Sequence, residues 1–171
     1  SSFAYHANHD GIYFPTLAPN NRVFVIATDR HNPDIDVIIC FDALTLEKLF
    51  VIDEGPGFEE GANGMAVVGE ELFVCDRSDH RLQVYSTLDG AHRRTISGGF
   101  YQPICLAHHD GRLYLIEEDN EDFGDGRCGR RIFVLSPAGE TLQVYKWPDQ
   151  GHVLQNIAVW GRKLLVVHQD E

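Results

Sequence analysis

Two stretches of this chain carry side chains of a type and density that can do chemistry. The first is the run Glu117-Glu118-Asp119-Asn120-Glu121-Asp122-Phe123-Gly124-Asp125. Carboxylate and amide oxygens are the hard donors that Ca²⁺ prefers, and Glu118, Asp119, Asp122 and Asp125 are the candidate ligands. The spacing is not that of an EF-hand loop. Counted from Asp119, the sixth position is Gly124, but the twelfth is Arg130, where a bidentate Glu belongs. The competing reading is a solvated hairpin tip whose charges keep a sheet edge soluble.

The second stretch is His108-His109, with Phe100 and Tyr101 a few residues before it, beside Gly98-Gly99. Histidine pairs can bind a transition metal, and exposed aromatic residues anchor protein interfaces. Phe100, Tyr101, His108 and His109 are therefore the candidate partner-binding residues. No Ser-His-Asp arrangement, nucleophile elbow or phosphate-cradling glycine loop accompanies them, so no catalytic residue is assigned.

The elements that must position these residues come from a repeat. Ala66-Val67-Val68-Gly69-Glu70-Glu71-Leu72-Phe73-Val74-Cys75 is echoed by residues 107 to 116 and again by residues 158 to 167, with a looser copy over residues 17 to 26. An apolar strand, a tight polar turn and a second apolar strand, recurring every 41 to 51 residues, is the signature of a β-propeller. Ala18, Ala66, Ala107 and Ala158 are expected at equivalent inner-strand positions. The expected fold is all-β, a propeller of about four blades of antiparallel strands, either a small closed ring or an arc of a larger one. The chain reads as one repeat domain over residues 1–171, with blades near 12–55, 61–98, 103–147 and 154–171, the last joined by residues 1–11. Closure would pair Phe3 to Ala7 with the strand Leu164 to Val167, and would give a monomer; an open arc would self-associate.

The formal net charge is −12, from 14 Lys+Arg against 26 Asp+Glu. Such a surface repels phosphate backbones and anionic lipid, so neither nucleic acid nor a membrane is expected as partner. No apolar run approaches the roughly 20 residues that cross a bilayer as a helix. Cys40, Cys75 and Cys105 sit inside apolar strands and Cys128 in a glycine-rich loop, with no CxxC pair. Buried reduced thiols fit that placement and favour an intracellular, reducing compartment. Trp147 and Trp160 are expected to pack in the core or rim.

The run Val74-Cys75-Asp76-Arg77-Ser78-Asp79-His80-Arg81-Leu82-Gln83-Val84-Tyr85 resembles the NHL repeat, which it matches at Asp76, Arg81, Gln83 and Tyr85. Asn63-Gly64-Met65-Ala66 is similar to that family's repeat opening, and Pro103-Ile104-Cys105-Leu106-Ala107 is a degenerate version. The resemblance implies a propeller in which Asp76 accepts hydrogen bonds from Arg81 or from backbone across its turn. In the next repeat Glu118 stands near the Asp position and Arg131 near the Arg position, while the repeat around Asp29 lacks the Arg.

Enzymes that resemble this family, peptide-amidating lyases among them, hold zinc in the central channel with histidines from several blades. Here the residues aligned with His108 are Val67 and Val159, and those aligned with His109 are Val68 and Trp160, which is not a converging ligand set. His168 ends its strand as a further contributor. The expected function is a non-enzymatic propeller module that binds a protein or peptide on one face, with no cofactor beyond a candidate Ca²⁺. The alternative is a metal-dependent lyase or lactonase with a channel metal site.

Overall fold

The computed structural model describes residues 9–29, 32–53, 58–59, 61–117, 131–146, 152–161 and 163–170. Among them every regular element is a strand. The first sheet holds β1 (His9–Ala18), β2 (Arg22–Asp29), β3 (Asn32–Asp42) and β4 (Lys48–Ile52), with the short β5 (Phe58–Glu59) paired to β3. The second holds β6 (Ala62–Val68), β7 (Glu71–Asp76), β8 (Arg81–Ser86) and β9 (His92–Ile96). The third holds β10 (Pro103–His109), β11 (Arg112–Glu117), β12 (Arg131–Leu135) and β13 (Thr141–Lys146). The fourth has β14 (His152–Trp160) and β15 (Lys163–Asp170). Apart from β5, each sheet is an antiparallel meander in chain order, the construction of a propeller blade.

The middle strands are continuous apolar runs because both of their faces are buried. In β7, Leu72 and Val74 pack toward blade 1 with Phe24, Ile26, Ile38 and Cys40. Phe73 and Cys75, one residue out of phase, pack toward blade 3 with Leu113, Leu115 and Phe133. Blade 3 in turn meets blade 4 through Cys105, Ile116, Ile132, Leu154 and Ile157. Burying one such side chain contributes about 1.5–3 kcal/mol, so these layers between blades are the main stabilising term. None of the apolar clusters joins blade 4 to blade 1 among the described residues; the remaining cluster lies wholly within blade 1.

Glycines allow the close approaches that stacking demands. A Cβ on Gly64 of β6 would lie 2.7 Å from the Cys105 Cα and the Leu106 nitrogen of β10, so inner strands of adjacent blades meet backbone to backbone. At the rim, the β8–β9 turn sets Gly90 (φ 76°) on Phe50 and Ile52 of the preceding blade. The β12–β13 turn repeats this with Gly139 (φ 95°) on Ile96.

The register corrects three expectations. Ala66, Ala107 and Ala158 are equivalent, opposite Phe73, Tyr114 and Leu165, but in blade 1 that position is Thr16, opposite Phe24. Ala18 lies two residues further on, opposite Arg22, because the turn over residues 19–21 is longer than its counterparts. Residues 9–11, expected with the closing blade, belong to β1 of blade 1. Trp160 is 76% exposed at the end of β14 instead of packed. Phe3 to Ala7 lie outside the described residues; among the described residues β15 pairs with β14 alone.

Candidate functional site

The meander order gives each blade two ends. Tight turns at residues 19–21, 69–70, 110–111 and 161 mark one end, and the 77–80 turn with the inter-blade connection 97–102 marks the other. The second end holds the most connected polar groups.

Asp76, 1% exposed at the end of β7, accepts from Arg81 Nε at 2.7 Å and from Gln83 Nε2 at 3.0 Å. The buried Gln83 passes the chain outward, its Oε1 accepting from Thr95 Oγ1 at 2.7 Å and His92 Nε2 at 3.0 Å. Arg81 also reaches Asp79 at 2.5 Å. The carboxylate therefore closes the 77–80 turn, as the sequence motif implies.

Blade 3 repeats the device with a longer acid. Glu117 is 0% exposed, and its carboxylate takes Arg131 Nη2 at 2.7 Å and Arg131 Nε at 2.8 Å. Its Oε1 also accepts the Tyr101 backbone N–H at 2.6 Å. Burial pushes the Glu117 carboxyl up from its ordinary value, against the lowering effects of Arg131 and the Tyr101 amide. Glu117, the last residue of β11, thus fills the position of Asp76 that the sequence suggested for Glu118, which lies outside the described residues. In blade 1 the same register holds Ala27 opposite Val37, an apolar pair in place of acid and base.

These two carboxylates frame an aromatic pair. Tyr101 stacks on His80 with ring centroids 4.2 Å apart at 26°. The Gln102 N–H donates to His80 Nδ1 at 3.2 Å, which fixes that nitrogen as the acceptor. Tyr101 and His80 are both half-buried, and the loop is held from blade 2 through His80 and from blade 3 through Glu117.

The four residues proposed for partner contact do not form one site. Phe100 is 4% exposed in the blade 2–blade 3 core, edge-on to Phe133 at 5.9 Å, so it is a packing residue and not an anchor. His108 and His109 end β10 at the tight-turn end, the full length of the strand from Tyr101. His108 is exposed, and desolvation followed by the His109 charge lowers its pKa. Glu118, Asp119, Asp122, Asp125, Cys128 and Trp147 lie outside the described residues. Among the described residues no three His, Cys, Asp or Glu side chains are grouped to hold a metal ion. Cys40, Cys75 and Cys105 are buried free thiols, and burial raises the pKa of each.

Sequence reasoning missed His80 and Glu117. Glu117 could have been found by aligning strand ends instead of turn residues, since Asp76 and Glu117 each occupy the sixth position of a six-residue strand, whereas His80 lies in the 77–80 turn, to which no strand end points. A further groove of about 420 Å³ lies at the rim between blades 1 and 2, where Ile52 and Asp53 face Asp89, Ala91 and His92.

No family model matches the chain, and no curated protein is similar to it in sequence. Its fold is nonetheless similar to solved structures. Glutaminyl cyclase from Myxococcus xanthus superposes with a TM-score of 0.63 at 10% identity, over 94% of this chain and 69% of that one. The RRP9 WD40 repeats superpose with a TM-score of 0.69 at 18% identity, over 95% of this chain and 46% of that one. Hydrazine synthase from Kuenenia stuttgartiensis gives 0.63 at 15% identity, over 92% and 42%. The chain spans less than half the length of the latter two. These likenesses and the blade meanders define the class: an all-β, propeller-type protein.

Proposed function

We propose that this chain is an NHL-like propeller module that binds a protein or peptide partner on the face carrying Tyr101 and His80. The observation that carries this reading is the pinned aromatic pair. Interface hot spots are rich in aromatic groups, and affinity rises when such groups are held in place before binding. Tyr101 is held at its own amide by a buried carboxylate, and His80 by the amide of the next residue. The buried acids, Asp76 and Glu117, are spent on holding the face together. The charge of −12 turns the partner class away from nucleic acid and anionic membrane.

A peptide library selected on the purified protein tests this. Ligands that emerge should lose about tenfold or more in affinity with Tyr101→Ala, the loss expected of an aromatic anchor, and be unchanged by His108→Ala at the opposite end. Selected ligands that ignore Tyr101→Ala would refute the assignment. A stoichiometric Zn²⁺ or Ca²⁺ in the purified protein, with hydrolase or lyase turnover, would favour the metal-dependent enzyme instead.

A further inference from the structure

The rim groove between blades 1 and 2 carries polar groups that the fold does not require. Asp53, Asp89 and His92 line it together with Val51, Ile52 and Ala91, around a volume of about 420 Å³. The rim between blades 2 and 3 is built the same way, so the two compare position by position. Gly90 rests on Ile52 and Gly139 on Ile96. Those isoleucines lie opposite Ile38 and Leu82, each two residues before the partner of Phe24 or Phe73. Thr141 pairs with Leu135 as His92 pairs with Tyr85. The places of Asp53, Asp89 and His92 are thus taken by Ser97, Ala138 and Thr141. The second rim closes its glycine on its isoleucine with no ionisable group at any of the three, so closing a blade does not need them.

Two of the three groups are set as acceptors by their neighbours. Asp89 accepts the Ala91 N–H at 3.2 Å, and donation from Ser86 and then from Ala91 holds its carboxyl below the ordinary value, so it is charged at neutral pH. Gln83 gives its Nε2 to Asp76, so its Oε1 faces His92 Nε2, which must then carry the hydrogen. A neutral ring in that tautomer offers Nδ1 as an acceptor. Among the described residues neither aspartate is in an ion pair, and Arg93 bears on Asp89 only as a nearby charge.

We infer that this groove seats the arginine side chain of a peptide partner. Asp53, Asp89 and His92 do not form a group that could hold a metal ion. Their charge instead suits a cation that spreads several donors over a wider span. Guanidinium is that cation: planar, permanently charged and carrying five N–H donors. Its methylene stem packs along Val51 and Ala91, as long cationic side chains do on apolar surface. The chain that follows Asp53, Glu54-Gly55-Pro56-Gly57, brings a further acid and no cation to complement the groove. The net charge of −12 draws a cationic ligand toward it. The groove shares no residue with the face of Tyr101 and His80, so the two readings stand or fall separately.

The test uses the whole chain, isotope-labelled for NMR, and the blocked peptide acetyl-Gly-Arg-Gly-amide as probe. The same peptide with citrulline, which keeps the shape and loses the charge, is the control. Amide signals of residues 51–53 and 89–92 should shift saturably with the arginine peptide and not with the citrulline one. A lysine peptide should bind more weakly, since an ammonium offers fewer donors. Asp53→Asn and Asp89→Asn should each weaken binding about threefold, the loss expected of one exposed ion pair. Both variants should fold, because Asp53 is exposed and an asparagine at 89 still accepts the Ala91 N–H. Tyr101→Ala should leave binding unchanged. The inference is overturned by no saturable shift at these amides, by equal shifts from the citrulline peptide, by equal binding of the lysine peptide, by a loss with Tyr101→Ala, or by full binding in both aspartate variants.

Discussion

Glu117 stands in blade 3 where Asp76 stands in blade 2, and each closes its blade end by gripping the arginine that opens the next strand, Arg131 or Arg81. The two pairs differ in what else the acid holds. Asp76 reaches Gln83 on the next strand of its own blade, while Glu117, one methylene longer, reaches the Tyr101 amide in the connection between blades. One repeated ion pair has thus become a strut in one blade and a loop anchor in the next.

The anchor is asymmetric, and that asymmetry is testable. Glu117 is fully buried, but a quarter of the Arg131 side chain remains exposed. Removing the arginine strands a buried carboxylate, which typically costs about 3–5 kcal/mol. Glu117→Gln leaves Arg131 partly hydrated and keeps an acceptor for Tyr101, so it should cost less, about 1–2 kcal/mol. Urea unfolding of Arg131→Ala and Glu117→Gln checks the order; equal losses would show that the pair, and not the buried acid, sets the cost.

The Asp76 network predicts a different pattern. Asp76→Ala leaves the buried Gln83 amide without its acceptor and should cost about 1–3 kcal/mol. Thr95→Val removes one of two donors to Gln83 Oε1, with His92 still in place, and should cost no more than about 1 kcal/mol. Thermal melts of both variants measure this, and an unchanged melt for Asp76→Ala would remove its structural role.

How far the sequence carried can be judged from these same residues. Asp76, Arg81 and Gln83 were legible because they fall in one uninterrupted motif, five and seven residues apart. Glu117 was displaced by one residue because the insertion before Arg131 destroys the spacing, leaving only strand ends to align on. Blade 1 shows no motif because Ala27 and Val37 replace the ion pair with apolar contact, and burial leaves no polar signature. Phe100 was misassigned for a related reason. A glycine-flanked aromatic in a connection looks exposed until the neighbouring blade, which local sequence does not reveal, closes over it against Phe133.

The glycines separate contact from backbone strain. Gly111 (φ 68°) has open space where its Cβ would go, so Gly111→Ala should cost only the left-handed penalty, roughly 1 kcal/mol. Gly139→Ala adds a Cβ 2.7 Å from Ile96 Cγ2 and should cost more. Gly64→Ala should be the most severe, since the Cys105 and Leu106 backbone atoms it meets cannot rotate away. Parallel denaturation of the three variants should give that order.

The thiols should be silent in the folded protein. Cys75 is fully buried and Cys105 nearly so, and burial lifts the Cys40 thiol to about 11. Since the thiolate is the reactive species, a thiol reagent at neutral pH should label Cys40, Cys75 and Cys105 only as fast as the blades open. Mass-spectrometric labelling with and without denaturant measures it, and rapid labelling of Cys75 under native conditions would contradict the packing between blades 2 and 3.

The last prediction concerns the sign of one pH dependence. Desolvation raises Glu117 above its ordinary value of 4.5, so the folded state binds that proton more tightly than the unfolded state. Its contribution to stability is therefore fully present below that ordinary value and is lost as pH rises through the higher folded value. Glu71, Asp42 and Asp89 have the opposite sign. Arg94 lowers Glu71, and backbone or side-chain donors within their turns lower the two aspartates, so their contributions are present at neutral pH and lost on acidification. Net stability against pH mixes both groups, but the difference between wild type and Glu117→Gln isolates one carboxyl. That difference should shift in favour of wild type as pH is lowered from neutrality, while the difference between wild type and Glu71→Gln should move the other way. Two parallel differences would mean that burial does not govern Glu117, and that its bonds to Arg131 and the Tyr101 amide outweigh the loss of water.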